Sequence, residues 1–272
     1  MSRTLKLTVA YEGTAYVGWQ RQAEGISIQG LLEDALSRID GRPVVVVAAG
    51  RTDAGVHALG QIVRARIGTA HDGAMLTRAL NGLLPADVRV LSVEEADATF
   101  HPRYDARSKT YQYWIWNGSI LPPAVRQWCW HVARPLDVSR MDAAARLLEG
   151  RRDFAAFQST GSEVKTSERT VRRAWVRREA GSGEAPAVLA RLGAPDPQFV
   201  VFEIEADGFL RHMVRAIVGT LVEIGDGRRE PESVTRLLAS RDRSAAGATA
   251  PAHGLVLVGV RCTSRNCRTR RC

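Results

Sequence analysis

No stretch of this chain reaches the roughly 18 consecutive apolar residues that a membrane-crossing helix needs. The opening "MSRTLKLTVA" alternates charged with apolar residues and builds no signal-peptide core, so the expected location is the cytoplasm. Cysteine is scarce: there are four, Cys129, Cys262, Cys267 and Cys272, three of them in the terminal "RCTSRNCRTRRC". Their even spacing resembles no standard zinc pattern, and no metal site is expected. Without a secretory signal the thiols are expected reduced. Acidic residues are the minority charge, 29 against 38 Lys and Arg, which leaves a net charge of +9. That imbalance favours polyanionic partners, because each neutralised phosphate releases counterions. Arginine predominates over lysine, which suits bidentate phosphate contact.

What is present is enough for a substantial core. Hydrophobic residues make up 45% of the 272, a length suited to one large domain or two modest ones. Strand-like runs occur at "LKLTVAYEG", "PVVVVAA", "QIVRARI" and "DVRVLSV". Between the first two, "SIQGLLEDALSRI" places Ile28, Leu31, Leu32, Ala35, Leu36 and Ile39 on one helical stripe, with Ser27 as N-cap. Between the last two, "GAMLTRALNGLL" reads as a shorter helix. The order is β-α-β-β-α-β, the split or ferredoxin-like arrangement.

The second half repeats that order without a visible sequence repeat. "KTYQYWIWN" is expected as a strand, "SRMDAAARLLEG" as a helix stopped by Gly150, and "RTVRRAWVRR" and "QFVVFEIEA" as strands. Then come the periodic "FLRHMVRAIVGTLVEIG", the helix "PESVTRLLASRD" and the strand "GLVLVGVRC". The expected division is an N-terminal α+β half over 1–106, a C-terminal α+β half over 107–262, and a disordered basic tail over 263–272. "EAGSGEAPAVLARLGAPDPQ" is expected to protrude as a long hairpin loop.

The sharpest local signal is "GRTDAGVHALGQ", Gly50 to Gln61, directly after the Val44–Val47 run. In the split arrangement it is the loop of the first half's central hairpin. A turn explains Asp53 and its glycines, since an Asp side chain accepts a backbone N–H two residues on. It does not explain why Arg51, Thr52, His57 and Gln61 crowd the same stretch. Glycoside hydrolysis and aspartic proteolysis each need a second carboxylate, and none stands nearby. The phosphate-cradling Gly-x-x-x-x-Gly-Lys pattern is absent as well. Asp53 is left as a nucleophile, a general base or a binding group. Facing a polyanion, it needs a cation to keep it ionised. "RHMVR" supplies one: Leu210, Met213, Val214, Ile217, Val218, Leu221 and Val222 form a buried stripe, and Arg211 and Arg215 run along its margin.

"GRTDAGVHALGQ" closely resembles the catalytic-loop motif of the TruA-type tRNA pseudouridine synthases. "YEGTAYVGWQRQ", "SIQGLLEDAL", "LNGLLPADVRV", "FHPRYDARSKTYQYWIWN", "DFAAFQS", "FLRHMVRAIVGTLVEIG" and "AHGLVLVGV" match in the family's order, from about Tyr11 to about Val260. The resemblance implies two pseudo-symmetric α+β halves with adjoining antiparallel sheets, helices on the outer faces and a central basic cleft. It implies that Asp53 is the catalytic aspartate, Tyr111 the active-site tyrosine and Arg215 the partner of the aspartate. Leu255 becomes an apolar wall of the uracil pocket, and Arg51 helps displace the target nucleotide. Arg211, His57 and Gln61 join as candidate substrate-binding residues; His57 and Gln61 equally suit a supporting role through hydrogen bonds. The implied activity is isomerisation of uridine to pseudouridine at positions 38, 39 and 40 of the tRNA anticodon stem-loop; the alternatives are a synthase acting on a different RNA and a non-catalytic RNA-binding protein on the same scaffold. The isomerisation requires no redox cofactor, metal or ATP, and the implied assembly is a homodimer.

Overall fold

The computed structural model describes residues 2–159, 161, 166–179 and 198–263. The loop expected over 181–197 and the tail from 264 onward lie outside them. The chain divides into two compact units, Met1–Lys109 with Val256–Cys272, and Thr110–Leu255. Both combine antiparallel strands with helices, the α+β class expected.

In the first unit β1 (Arg3–Tyr11) alternates, burying Leu5, Leu7, Val9 and Tyr11. It pairs antiparallel with β3 (His57–Ile67) on one side and β4 (Val88–Ala96) on the other. The final strand β10 (Leu255–Cys262) runs parallel to β3, Val256 opposite His57, so the order is β4-β1-β3-β10. A short β2 (Val46–Ala48) pairs with β3. The valine run had suggested a longer strand, but Val45 is 73% exposed and only three residues enter the ladder.

Helix α1 (Ile28–Asp40) begins where the sequence signalled. Ser27 is extended, and its Oγ accepts the Gly30 N–H at 3.1 Å. This satisfies one of the unpaired amides of the first turn. Gly41 closes the helix at φ 72°, where glycine carries no Cβ penalty. Ile28, Leu32, Ala35 and Leu36 are buried; Leu31 and Ile39 are half-buried. Helix α2 (Gly73–Leu83) is capped by Asp72 and packs on β4.

The second unit orders β5 (Ala106–Trp116), β9 (Phe199–Ala206), β8 (Glu168–Arg178) and β7 (Gly150–Asp153), with β6 (Trp130–His131) beside β5. Helix α3 (Val138–Arg146) packs on β8 and on α4 (Met213–Gly225), and α5 (Ser233–Ser240) follows. α3 ends four residues before Gly150, which opens β7 at φ 94°. The whole stripe from Leu210 to Val222 is buried as expected. The helix itself starts late: His212 is left-handed at φ 59° and caps it, so Phe209 to His212 are not helical. Arg211 therefore precedes α4, and its expected place one helical turn before Arg215 does not hold.

Candidate active site

Two short backbone bonds fix the loop that carries Asp53. The Ala49 N–H donates to Ile62 O at 2.8 Å, and the Trp19 N–H donates to Thr52 O at 3.0 Å. Asp53 then begins a tight turn: its carbonyl accepts the Val56 N–H at 3.1 Å, with Gly55 at φ 78° in the third position. This is the type II turn, whose third residue needs positive φ. Glycine there is a conformational requirement. The turn leaves Asp53 half-exposed and Arg51 exposed, while Thr52 is buried.

Beneath the turn lies a polar layer that includes Tyr11, a residue the sequence did not single out. The Tyr11 hydroxyl hydrogen-bonds Thr52 Oγ1 at 2.8 Å in the interior. Burial pushes the Tyr11 phenol up to about 12, against hydrogen bonding from Thr52 and Gln61 that pulls the other way. Tyr11 therefore stays a neutral clamp on the loop. The backbone of "EGTAYVGW" packs directly on the turn. A Cβ on Gly13 would lie 2.1 Å from Val56 O, and one on Gly18 (φ 104°) would lie 2.7 Å from Thr52 O. Neither glycine has room for a side chain. The two glycines in "YEGTAYVGW" were the sequence signal for this close approach.

His57 and Gln61 sit on β3 rather than in the loop, and both are fully buried. His57 Nδ1 accepts the Gly13 N–H at 3.0 Å, so that nitrogen carries no proton. Gln61 Nε2 donates to Gly50 O at 2.9 Å, tying β3 to the start of the loop. Both brace the segment that carries Asp53.

The second unit holds the remaining candidates. Tyr111 lies on β5, 7% exposed, with the Phe209 ring edge-on at 5.0 Å and 84°. Arg215 is in the first turn of α4, and its Nε donates to Ala250 O at 2.7 Å. The Ala250 N–H returns a bond to Arg215 O at 3.1 Å, so segment 250–255 is laced to the helix. The same segment is held to β5, where the Tyr113 hydroxyl donates to Pro251 O at 2.8 Å. Gly254 abuts the Tyr113 ring so closely that a Cβ would lie 2.6 Å from Cζ. Burial drives the Tyr113 phenol far above its usual range, with the Arg215 charge opposing. Burial likewise lowers the His253 imidazole, and Arg215 adds to that. The segment presents Leu255, 5% exposed, at the start of β10. Arg211 is exposed outside α4, its guanidinium 3.5 Å from Gly161 O.

The structure thus gathers Arg51, Thr52, Asp53, His57 and Gln61 on one braced loop and strand in the first unit. In the second it sets Tyr111, Arg215 and Leu255 on elements linked through Tyr113 and the 250–255 segment.

The family model described as tRNA pseudouridine synthase matches residues 7–105 and 144–262. The chain is 42% identical over 258 residues to tRNA pseudouridine synthase A of Geotalea uraniireducens, covering 95% of this chain and 99% of that one. It is 45% identical over 259 residues to the protein of that name from Moorella thermoacetica, covering 93% and 97%. For the counterpart from Solidesulfovibrio magneticus the figures are 44% over 263 residues, 94% and 90%. With both units matched, and with relatives aligned along nearly their whole length, the chain belongs to the tRNA pseudouridine synthase family.

Proposed function

We propose that the chain converts uridine to pseudouridine at positions 38, 39 and 40 of the tRNA anticodon stem-loop, with Asp53 as the catalytic carboxylate. The reaction breaks the N1–C1′ bond, turns the freed uracil and forms a C5–C1′ bond. The C5 proton is lost and N1 gains one, so atoms and electrons balance with no co-reactant. Asp53 acts by adding to the base or the ribose, or by taking a ribose proton. Arg215 is the cation assigned to the carboxylate. Tyr111 and Leu255 give the uracil apolar walls on which it turns without being pinned. The target base must first leave the helical stack, at a cost of a few kcal/mol. Exposed Arg51 takes the place it vacates. Arg211 contacts the RNA backbone. The enzyme works in the cytoplasm as a homodimer.

The observation that carries this reading is the half-exposed Asp53 on a turn braced from beneath, in a chain 42–45% identical to proteins named tRNA pseudouridine synthase A. Incubation with tRNA tritiated at uracil C5 is expected to release tritium, with pseudouridine mapping to positions 38–40. No release from any tRNA would refute the activity; release with modification at other positions would refute the assignment of sites. Arg215→Ala is expected to slow turnover of bound tRNA far more than it weakens binding. The reverse pattern would contradict the ion pair.

A further inference from the structure

The segment from 97 to 105 in the first unit carries a group that the chemistry above does not use. Phe100, 1% exposed, anchors it, while Tyr104 stands 80% exposed at its tip. That tip is held in place. The His101 N–H donates to Asp105 Oδ2 at 2.9 Å, and the Asp105 and Tyr104 N–H groups both donate back to His101 O. The Arg103 N–H donates to His101 Nδ1 at 3.3 Å. The Tyr104 ring lies on the His101 ring at a centroid distance of 4.2 Å and an interplanar angle of 28°. One face of the tyrosine is therefore covered by a stacked partner, and the other is open to solvent.

Three arginines, Arg64, Arg66 and Arg103, surround this pair, against the segment's two carboxylates, Asp97 and Asp105. Arg64 and Arg66 on β3 reach the same segment, donating to Phe100 O and Ala98 O, each at 3.2 Å. Burial and the neighbouring Arg66 charge lower Arg64, and burial with Arg64 and Arg103 lowers His101. The lowered His101 keeps its imidazole neutral, which suits stacking. Asp105 is the carboxylate facing it. Tyrosine and arginine also mark protein interfaces, so the choice of partner rests on charge: the chain carries a net +9, which favours a polyanion. An exposed aromatic face among guanidinium groups fits a base with its phosphates.

We infer that Tyr104, stacked on His101, is a platform for one unpaired nucleobase of the substrate tRNA, with Arg64, Arg66 and Arg103 answering the flanking phosphates. The inference rests on the reading of tRNA as substrate. The base is not the one being isomerised. Arg64 lies seven residues along β3 from His57, which at about 3.3 Å per residue is roughly 23 Å. Tyr104 is a docking residue: it holds the tRNA and takes no part in the chemistry at Asp53.

The test measures tRNA affinity and tritium release for wild type, Tyr104→Ala and Tyr104→Phe. Tyr104→Ala is expected to weaken binding about 5- to 150-fold, the range for loss of one aromatic–base stack. Release at saturating tRNA should be unchanged, and Tyr104→Phe should bind within about twofold of wild type. Abasic substitutions of the unpaired nucleotides, one at a time, then locate the base. One position should weaken wild-type binding as much as Tyr104→Ala does, and cost nothing further in that variant. Unchanged affinity of Tyr104→Ala overturns the platform. So does a lowered molecular mass with affinity per subunit intact, which makes the patch a contact between copies. Wild-type protein that releases no tritium fails on the substrate reading, a result distinct from either.

Discussion

Replacing Gly13 with alanine tests whether the polar layer beneath the turn positions Asp53. The added methyl would lie 2.1 Å from Val56 O, against the 3.0 Å that real Cβ atoms respect. The difference is 3.0 − 2.1, so the two backbones must part by about 0.9 Å. Val56 donates to Asp53 O, and Gly13 donates to His57 Nδ1, so the shift passes straight into the turn. A misplacement of about 1 Å at a reacting group costs on the order of 10²-fold in rate. Unpairing the buried His57 Nδ1 and parting the two backbones cost roughly 1–3 kcal/mol each, against about 5–15 kcal/mol of total stability, so urea unfolding of the variant is measured beside its rate. Single-turnover tritium release is therefore expected to slow about 100-fold, with tRNA affinity within about threefold of wild type. Gly41→Ala is the control: it sits at φ 72° with nothing within 4 Å, so strain there should lower stability and leave the rate alone. A Gly13→Ala enzyme within twofold of wild type would refute the positioning role, as would a Gly41→Ala enzyme equally slow.

Two further outcomes follow from local energetics. Ser27→Ala removes the α1 cap and should cost about 1 kcal/mol, lowering Tm by roughly 2–4 °C with tritium release unchanged. Alkaline pH should destabilise the fold through its buried phenols. Tyr11 titrates near 12 when folded against 10.0 when free, so its contribution is complete below pH 10 and is lost as the pH rises toward 12. The loss reaches about 3 kcal/mol at the upper end. Urea denaturation at pH 9 and pH 11 should show a larger fall for wild type than for Tyr11→Phe.

Legibility in the sequence followed how local each signal was. Helix α1 was readable because its cap, stripe and closing glycine lie within fifteen residues, and Ser27 and Gly41 behave as their types require. The Asp53 turn was readable for the same reason, with Gly55 two positions on. The start of α4 was not. Leu210 continues the apolar spacing, but His212 reverses the backbone at φ 59°, and spacing carries no record of φ. Periodicity also misplaced His57 and Gln61: their polarity reads as loop, yet both are fully buried on β3 because each finds a backbone partner in a neighbouring segment. Tyr11 and Tyr113 were hidden by ordinary strand patterning. What marks them are hydrogen bonds to Thr52 and Pro251, residues 41 and 138 positions away.

The central claim is that the Asp53 carboxylate carries the chemistry while the rest of its loop shapes and braces the turn. Asp53→Asn keeps the side chain's size and removes its charge, and single-turnover release of C5 tritium from bound tRNA reads the consequence directly. Release should vanish while tRNA affinity stays within a few-fold of wild type. Release persisting at a substantial fraction of the wild-type rate would contradict the account.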